Sequence, residues 1–384
     1  MAINLGSPNS VTKFLPDPHP HKCSPFPTIN TALPSPPPNP NTQLPTTPTT
    51  MQALRLETSA GGSLHARQLP IPTPGPGQAL LKVEAAGLCH SDTTILAGAG
   101  SSFIHGTPIT LGHEVAGTVV ALGPSPSSPP PFQAGERVAV ALISHPIEHA
   151  RWSSAIGLGF DGGYAQYALA PVANLVRVPA GVGFAQAAVA TDSIATAYHA
   201  VRGEGRVGAG MTVAVVGLGG LGMNGVVVAA LQGASVYGVD VNAGKLEDAR
   251  RCGAVGAAAS LEELKGVEFD VVVDFVGKRA TVAAAVSAVR KGGRVVLVGL
   301  GDAVGEFPIA RLVTRGITLK GSIGASKEEL VSVLDLIATG KIAPKLQEIP
   351  FADVEKGLKS LDGNEVSGRL FTCPNKGFVS TNTV

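Results

Sequence analysis

A short β-type run, Thr212 to Val216, leads directly into Gly217-Leu218-Gly219-Gly220-Leu221-Gly222, and a helix-forming stretch continues to Gln232. Gly217, Gly219 and Gly222 have G-x-G-x-x-G spacing. The first glycine permits a tight turn, the second lets a pyrophosphate approach the backbone, and the third lets helix and strand pack closely. The free N–H groups and positive dipole end of the helix after the turn favour an anion there. A glycine-rich structural turn would explain the glycines alone, but not the acid at the end of the next strand. That strand reads as Val236 to Val239 and ends at Asp240, 23 residues after Gly217. A carboxylate there accepts hydrogen bonds from a ribose 2′-OH and repels a 2′-phosphate. Its neighbours are Val241 and Asn242, with no Arg, so NAD(H) is favoured over NADP(H). A helix N-cap role for Asp240 is compatible with this. Gly220, Leu221 and, on the next helix, Lys245 complete the expected cofactor contacts.

From 193 to 324 strands and helices alternate. Ala243 to Cys252 reads as a helix, Asp270 to Asp274 as a strand, Ala280 to Arg290 as a helix, and Arg294 to Val298 and Ile317 to Ser322 as strands. This alternation predicts a doubly wound parallel sheet covered on both faces, and an α/β fold class. Residues 51–192 differ. Ala79 to Ala85, Val115 to Leu122 and Arg137 to Val140 are short strand-like runs separated by Gly/Pro turns, which predicts a compact β-rich domain. Ser125 to Pro131 reads as a surface insertion. Lys327 to Thr339 is an amphipathic helix stopped at Gly340. Strand-like character returns through Arg369 and Phe371, so 325–375 is expected to rejoin the β-rich domain, with 376–384 as a tail.

Residues 1–50 hold 13 of the 30 prolines, a single acid, Asp17, and two bases, Lys13 and Lys22. Such a segment cannot bury enough apolar surface to offset its ordering entropy, so a disordered extension is expected. Scarce acids also suit an organelle transit peptide, although the lack of Arg counts against one. Met51 reads like an ordinary domain start and is an alternative site of initiation.

The net charge of +1 gives no electrostatic basis for nucleic acid or membrane partners. No apolar run is long and unbroken enough for a membrane span. Small molecules are the expected ligands. Four scattered cysteines (Cys23, Cys89, Cys252 and Cys373) suggest a reducing compartment, and the cytoplasm is the expected location.

A second constellation lies upstream. Gly87-Leu88-Cys89-His90-Ser91-Asp92 and Gly112-His113-Glu114-Val115-Ala116-Gly117 put a thiol and an imidazole, each with a carboxylate neighbour, between strand-like runs. Both are good zinc ligands, but two ligands do not make a site. Asp192, in Ala190-Thr191-Asp192-Ser193-Ile194, is the candidate third; its competing reading is a helix N-cap.

Cys89, Gly112-His113-Glu114, the Gly135-Glu136-Arg137-Val138 turn and the glycine loop, in that order, resemble the zinc-dependent medium-chain alcohol dehydrogenases. The resemblance runs from Met51 to Pro374. It implies a GroES-like catalytic domain over 51–192 and 325–375, a Rossmann domain over 193–324, and an active site in the cleft between them. It further implies one catalytic zinc with three protein ligands and an open position. Cys89 and His113 match two ligands. Asp192 stands where most members have Cys and where some, notably secondary alcohol dehydrogenases, have Asp. Asp92 would hydrogen-bond His113. Glu114 would sit behind the metal, able to tune or replace a ligand, with a plain structural role favoured. Ser91 matches the hydroxyl that begins the proton relay. Thr94 stands where a His is common, so the relay would continue through the cofactor ribose or water. His90 and Arg369 would lie near the pyrophosphate.

The family's four closely spaced cysteines for a structural zinc are missing, since Ala141 to Phe160 contains His145 and His149 but no Cys. The implied activity is hydride transfer between a primary or secondary alcohol and NAD(H), by a homodimer or homotetramer. Two alternatives stay open: a specialised biosynthetic reductase of a conjugated carbonyl or C=C bond, and a non-catalytic nucleotide-binding protein.

Overall fold

The structure is a computed structural model that describes residues 49–124, 129–363 and 366–376. The extension expected over 1–50, apart from its last two residues, lies outside the described residues. So do 125–128 of the Ser/Pro insertion and the tail beyond 376.

Six parallel strands form the nucleotide-type sheet, in the order Gly256–Ala258, Ser235–Val239, Thr212–Val216, Phe269–Asp274, Val289–Leu297, Thr318–Gly321. The first strand in the chain is central, and the chain winds outward from it on both sides. Val213, Val215, Val271 and Val273 are buried in one apolar cluster, while Ala214, Val216 and Val272 are buried in another. Burial on both faces explains why these strands read as continuous apolar runs rather than alternating ones. The turn after Thr212–Val216 therefore opens at the point where strand order reverses, which is where open α/β sheets bind ligands. Val289 and Arg290, expected to end a helix, open a strand instead; the helix is Arg279–Ala288.

The β-rich part is built on a seven-stranded sheet. Its path runs Leu346–Ile349, Arg369–Thr372, Gln78–Gly87, Glu114–Leu122, Arg137–Val140, Leu175–Arg177, with Tyr167–Pro171 added beside Gln78–Gly87. A small sheet of Leu64–Pro70, Thr50–Leu56 and Ile109–Thr110 adjoins it in sequence. Register matters most at one end of the large sheet. Gly87 pairs with Glu114 on one side and with Phe371 on the other. That alignment brings Cys89, His113 and Arg369, each one or two residues from a paired position, to the same edge.

A helical run, Phe184 to Glu204, carries the chain from this sheet to the nucleotide-type sheet. Ala187, Ala188 and Ala190 share a buried cluster with Ala85, Ala116 and Ala139, and small side chains let helix and sheet approach closely. The same cluster includes Val213, Leu330 and Phe371, so one continuous core joins the two parts. Ala190–Ile194 is wound as a π-helix, a feature that often marks functional sites. Asp192 thus lies inside a helix whose N-cap is Gly183, and it is not itself an N-cap. The boundary expected between 192 and 193 falls within this run. Among the described residues, no helix is long and apolar enough to cross a membrane.

Candidate functional site

Cys89 is the N-cap of the short helix His90–Leu96, and Asp92 at its third position accepts from the Cys89 N–H at 3.3 Å. His113 immediately precedes the strand Glu114–Leu122. Asp192 comes from the π-wound turn. Their ligand atoms converge: Cys89 Sγ is 3.3 Å from Asp192 Oδ2, His113 Nε2 is 3.7 Å from the same oxygen, and all three lie within 4.8 Å of one another. A tetrahedral zinc, with bonds of about 2.0–2.3 Å, needs ligand–ligand edges of roughly 3.3–3.8 Å. The three residues are buried. The donor set and its spacing fit zinc.

Charge points the same way. Burial pulls the His113 imidazole down, but the Asp92 and Asp192 carboxylates outweigh it and raise its pKa well above the ordinary value. Burial pushes Asp192 up, yet its bonds and charge partners, His113 first and then Arg369 and Thr196, hold it below the usual carboxylate range. The pocket therefore favours positive charge between these ligand atoms. A proton on His113 satisfies that demand, and so does a divalent ion.

Two of the three candidate ligands are held from behind. His113 Nδ1 lies 3.3 Å from Asp92 Oδ1, which turns Nε2 toward the other two ligands. The Thr196 hydroxyl donates to Asp192 Oδ1 at 2.7 Å, which leaves Oδ2 facing Cys89 and His113. Asp92 in turn accepts from the buried hydroxyl of Tyr164 at 2.8 Å. Sequence reasoning missed both Thr196 and Tyr164.

Glu114 is not part of the Cys89, His113 and Asp192 cluster and forms a bidentate pair with Arg369, whose Nε donates to Oε2 at 3.1 Å and whose Nη2 donates to Oε1. Glu114 also accepts from the Ser193 N–H at 3.1 Å, next to Asp192. Burial pushes the Glu114 carboxyl up, to about 7, against the pull of Arg369. Burial pulls Arg369 down, but the negative charges of Cys89 and Glu114 outweigh it and raise its pKa well above the ordinary value. Arg369 Nη2 lies 3.5 Å from Asp192 Oδ2, and a Cβ on Gly220 would lie 3.1 Å from Nη1. One guanidinium thus touches Glu114, the candidate ligand Asp192 and the glycine loop.

At that loop, Gly217 turns with φ +84° and Gly220 opens the helix Gly220–Leu231. A side chain on Gly222 would meet the Gly217 carbonyl oxygen at 1.6 Å, so only glycine fits there. Asp240 accepts from the Leu218 N–H at 2.8 Å and the Asn242 N–H at 2.9 Å, and Lys245 Nζ lies 3.7 Å from it. The N-cap of the next helix is Asn242, not Asp240. His90 Nε2 meets the Leu361 carbonyl at 3.0 Å. Burial, and after it the charge of Arg369, lowers the His90 pKa. Ser91 Oγ is 3.7 Å from Cys89 Sγ. The Thr94 hydroxyl, by contrast, donates to the His90 carbonyl at 3.0 Å, a bond within its own helix.

Comparison with known proteins agrees in kind. The alcohol dehydrogenase GroES-like domain model matches residues 75–180, and the zinc-binding dehydrogenase model matches residues 220–339. Alcohol dehydrogenase 1 of Emericella nidulans is 30% identical over 347 residues, covering 83% of this chain and 97% of that enzyme. The structure of acetophenone reductase from Geotrichum candidum in complex with NAD aligns at a TM-score of 0.77 with 34% identity, covering 85% of this chain and 98% of that one. A cobalt- and zinc-bound thermostable alcohol dehydrogenase from Pyrobaculum aerophilum aligns at 0.74 with 29% identity, covering 85% of this chain and 100% of that one.

Proposed function

From the premise that the chain belongs to the zinc-dependent medium-chain alcohol dehydrogenase family, we propose that it transfers hydride between NAD(H) and an alcohol–carbonyl pair, with ketones and secondary alcohols its preferred class. The observation that carries this reading is the convergence of Cys89, His113 and Asp192 on a single point. Likeness to an acetophenone reductase supports the ketone preference.

When bound, zinc supplies Lewis-acid polarisation of the substrate oxygen, and the nicotinamide supplies the hydride acceptor or donor. The remaining work belongs to the chain. Cys89, His113 and Asp192 would hold the ion, with Asp92 and Thr196 fixing the angles of two of them. Ser91 Oγ, beside the Cys89 sulfur, takes up and passes the substrate proton. Thr94 is committed to the His90 carbonyl, so it does not extend the path, and the proton would pass from Ser91 to water. Glu114 and Arg369 neutralise each other behind the metal and exclude water from that wall. The glycine loop (Gly217, Gly219, Gly220, Leu221 and Gly222), with His90, Lys245 and Arg369, would receive the pyrophosphate. Asp240 accepts from the ribose 2′-OH and sets the preference for NAD(H).

A single zinc per chain is part of the proposal, since residues 141–160 contain no Cys. So is a homodimer or homotetramer paired through the nucleotide domain. Thr318–Gly321 is the outermost strand of its sheet, and Leu300, Val304, Ile309 and Val313, close to it in sequence, are 65–71% exposed. Scattered cysteines favour the cytoplasm as the location.

The test is to measure zinc content together with nicotinamide absorbance across a panel of ketones, aldehydes and alcohols. Turnover of ketones with NADH at one zinc per chain is expected. Full turnover in zinc-free protein would overturn the reading. NADH binding without zinc or turnover would return the chain to a non-catalytic nucleotide-binding role.

A further inference from the structure

Asp92 is a fully buried carboxylate, and its charge must be met by hydrogen bonds. Its Oδ2 accepts from the Tyr164 hydroxyl at 2.8 Å and from the Cys89 N–H at 3.3 Å, while Oδ1 lies 3.3 Å from His113 Nδ1 as a charge contact, without hydrogen-bond geometry. Tyr164 is itself fully buried, and its hydroxyl also lies 3.3 Å from the Gly87 carbonyl. A hydroxyl has one proton, and the carboxylate is the stronger acceptor. The phenol is therefore committed to Asp92.

The tyrosine is tied to the segment that carries His113. Gly162 N–H donates to the Thr110 carbonyl at 2.8 Å, Gly163 N–H to Gly112 at 2.7 Å, and Tyr164 N–H to Leu111 at 3.0 Å. Its ring packs against Gly112, where a Cβ would meet Cδ1 at 2.6 Å and where φ is +93°. Any side chain at 112 would displace the ring. Backbone, ring and hydroxyl together leave Tyr164 one position, with its donor on Asp92.

We propose that Tyr164 is a positioning residue of the metal centre: its hydroxyl holds the Asp92 carboxylate beside His113 Nδ1, on the side of the ring away from the other two ligands, and so fixes the imidazole for coordination through Nε2. The proposal rests on the reading that Cys89, His113 and Asp192 bind zinc. Removing a group that orients a ligand typically costs 10–100-fold in metal affinity. Tyr164 acts one residue further out, so about tenfold is expected.

Zinc release from the full-length protein to a chromogenic chelator is the measurement. Tyr164→Phe keeps the ring and removes the donor, and it should release zinc about tenfold faster than wild type. In an Asp92→Asn background the same change should add nothing. The visible bands of the cobalt-substituted protein should shift in Tyr164→Phe, whereas a purely structural loss would lower only the melting temperature of the metal-free protein. Where the Phe variant fails to fold, 4-aminophenylalanine at position 164 restores a weaker donor and should give release between wild type and Asp92→Asn. Release at the wild-type rate from zinc-loaded Tyr164→Phe, or full additivity with Asp92→Asn, would overturn the role of Tyr164 alone. Wild-type protein that binds no zinc would overturn the metal reading and this inference with it.

Discussion

Thr196 donates its hydroxyl to Asp192 Oδ1 at 2.7 Å, one helical turn away on the same run. The bond decides which carboxylate oxygen faces Cys89 and His113. Thr196→Val is nearly isosteric and leaves Oδ1 buried without its donor, at a cost of about 1–3 kcal/mol. Zinc affinity should fall roughly 10–100-fold, read by chelator competition. Unchanged affinity would mean that the π-wound backbone alone orients Asp192.

In the proposed zinc site, Cys89 is the ligand that neither neighbour can replace. Its sulfur is the soft donor of the set, and the remaining imidazole and carboxylate would hold zinc with two bonds. Cys89→Ala should lose zinc and turnover together, by more than the roughly 10–100-fold typical of changes behind a ligand. Elemental analysis beside the nicotinamide assay checks this, and an active, metal-free variant would contradict it.

Much of this centre could be read from local spacing. The glycine loop, the acid at the end of the next strand and the Gly-His-Glu segment each need only neighbouring residues, and the structure sets them on a strand-turn-helix, a strand end and a strand start. What could not be read depends on distant contacts. Tyr164 and Asp92 are 72 residues apart, and Glu114 and Arg369 are 255 apart. The Glu114–Arg369 pair follows from the register that sets Gly87 between Glu114 and Phe371, and the Tyr164–Asp92 pair from the hydrogen bonds that tie residues 162–164 to 110–112. Thr196 was within reach, four residues after Asp192, but Asp192 before Ser193-Ile194-Ala195 also suits an N-cap. The π-wound turn that makes it internal is set by packing on the sheet, not by propensity.

On the proposed reading Asp240 has two tasks, and they separate by substitution. It accepts from the Leu218 and Asn242 N–H groups, which shapes the loop, and its charge opposes a 2′-phosphate. Asp240→Ser keeps an acceptor near those N–H groups and removes the charge. A hydrogen bond to a charged group contributes about 1.5–3 kcal/mol. The NADH-to-NADPH ratio of kcat/KM should therefore fall roughly 10- to 150-fold. An unchanged ratio would show that discrimination lies elsewhere.

A charge cluster away from the metal sets an acid limit on stability. Glu329 accepts from His199 Nδ1 at 2.9 Å, and it caps its own helix by accepting from the Ser326 N–H at 2.8 Å. The His145 ring packs against His199 at a 45° tilt, with ring centres 4.1 Å apart. Burial raises Glu329, but the His199 and Ser326 hydrogen bonds, then the charges of His199 and His145, bring its pKa below the ordinary value. A folded pKa below the unfolded one stabilises the protein fully above the unfolded value, about 4.3, and that stabilisation is lost as pH falls through the folded value. Glu329→Gln keeps an oxygen for the Ser326 N–H and removes the charge. Its melting temperature should lie below wild type at pH 6–7, and the two should converge as pH drops below about 4.3. Melting curves of both proteins across that range decide it: a margin that persists or widens in acid would place the stabilisation in packing rather than in the ionised carboxylate.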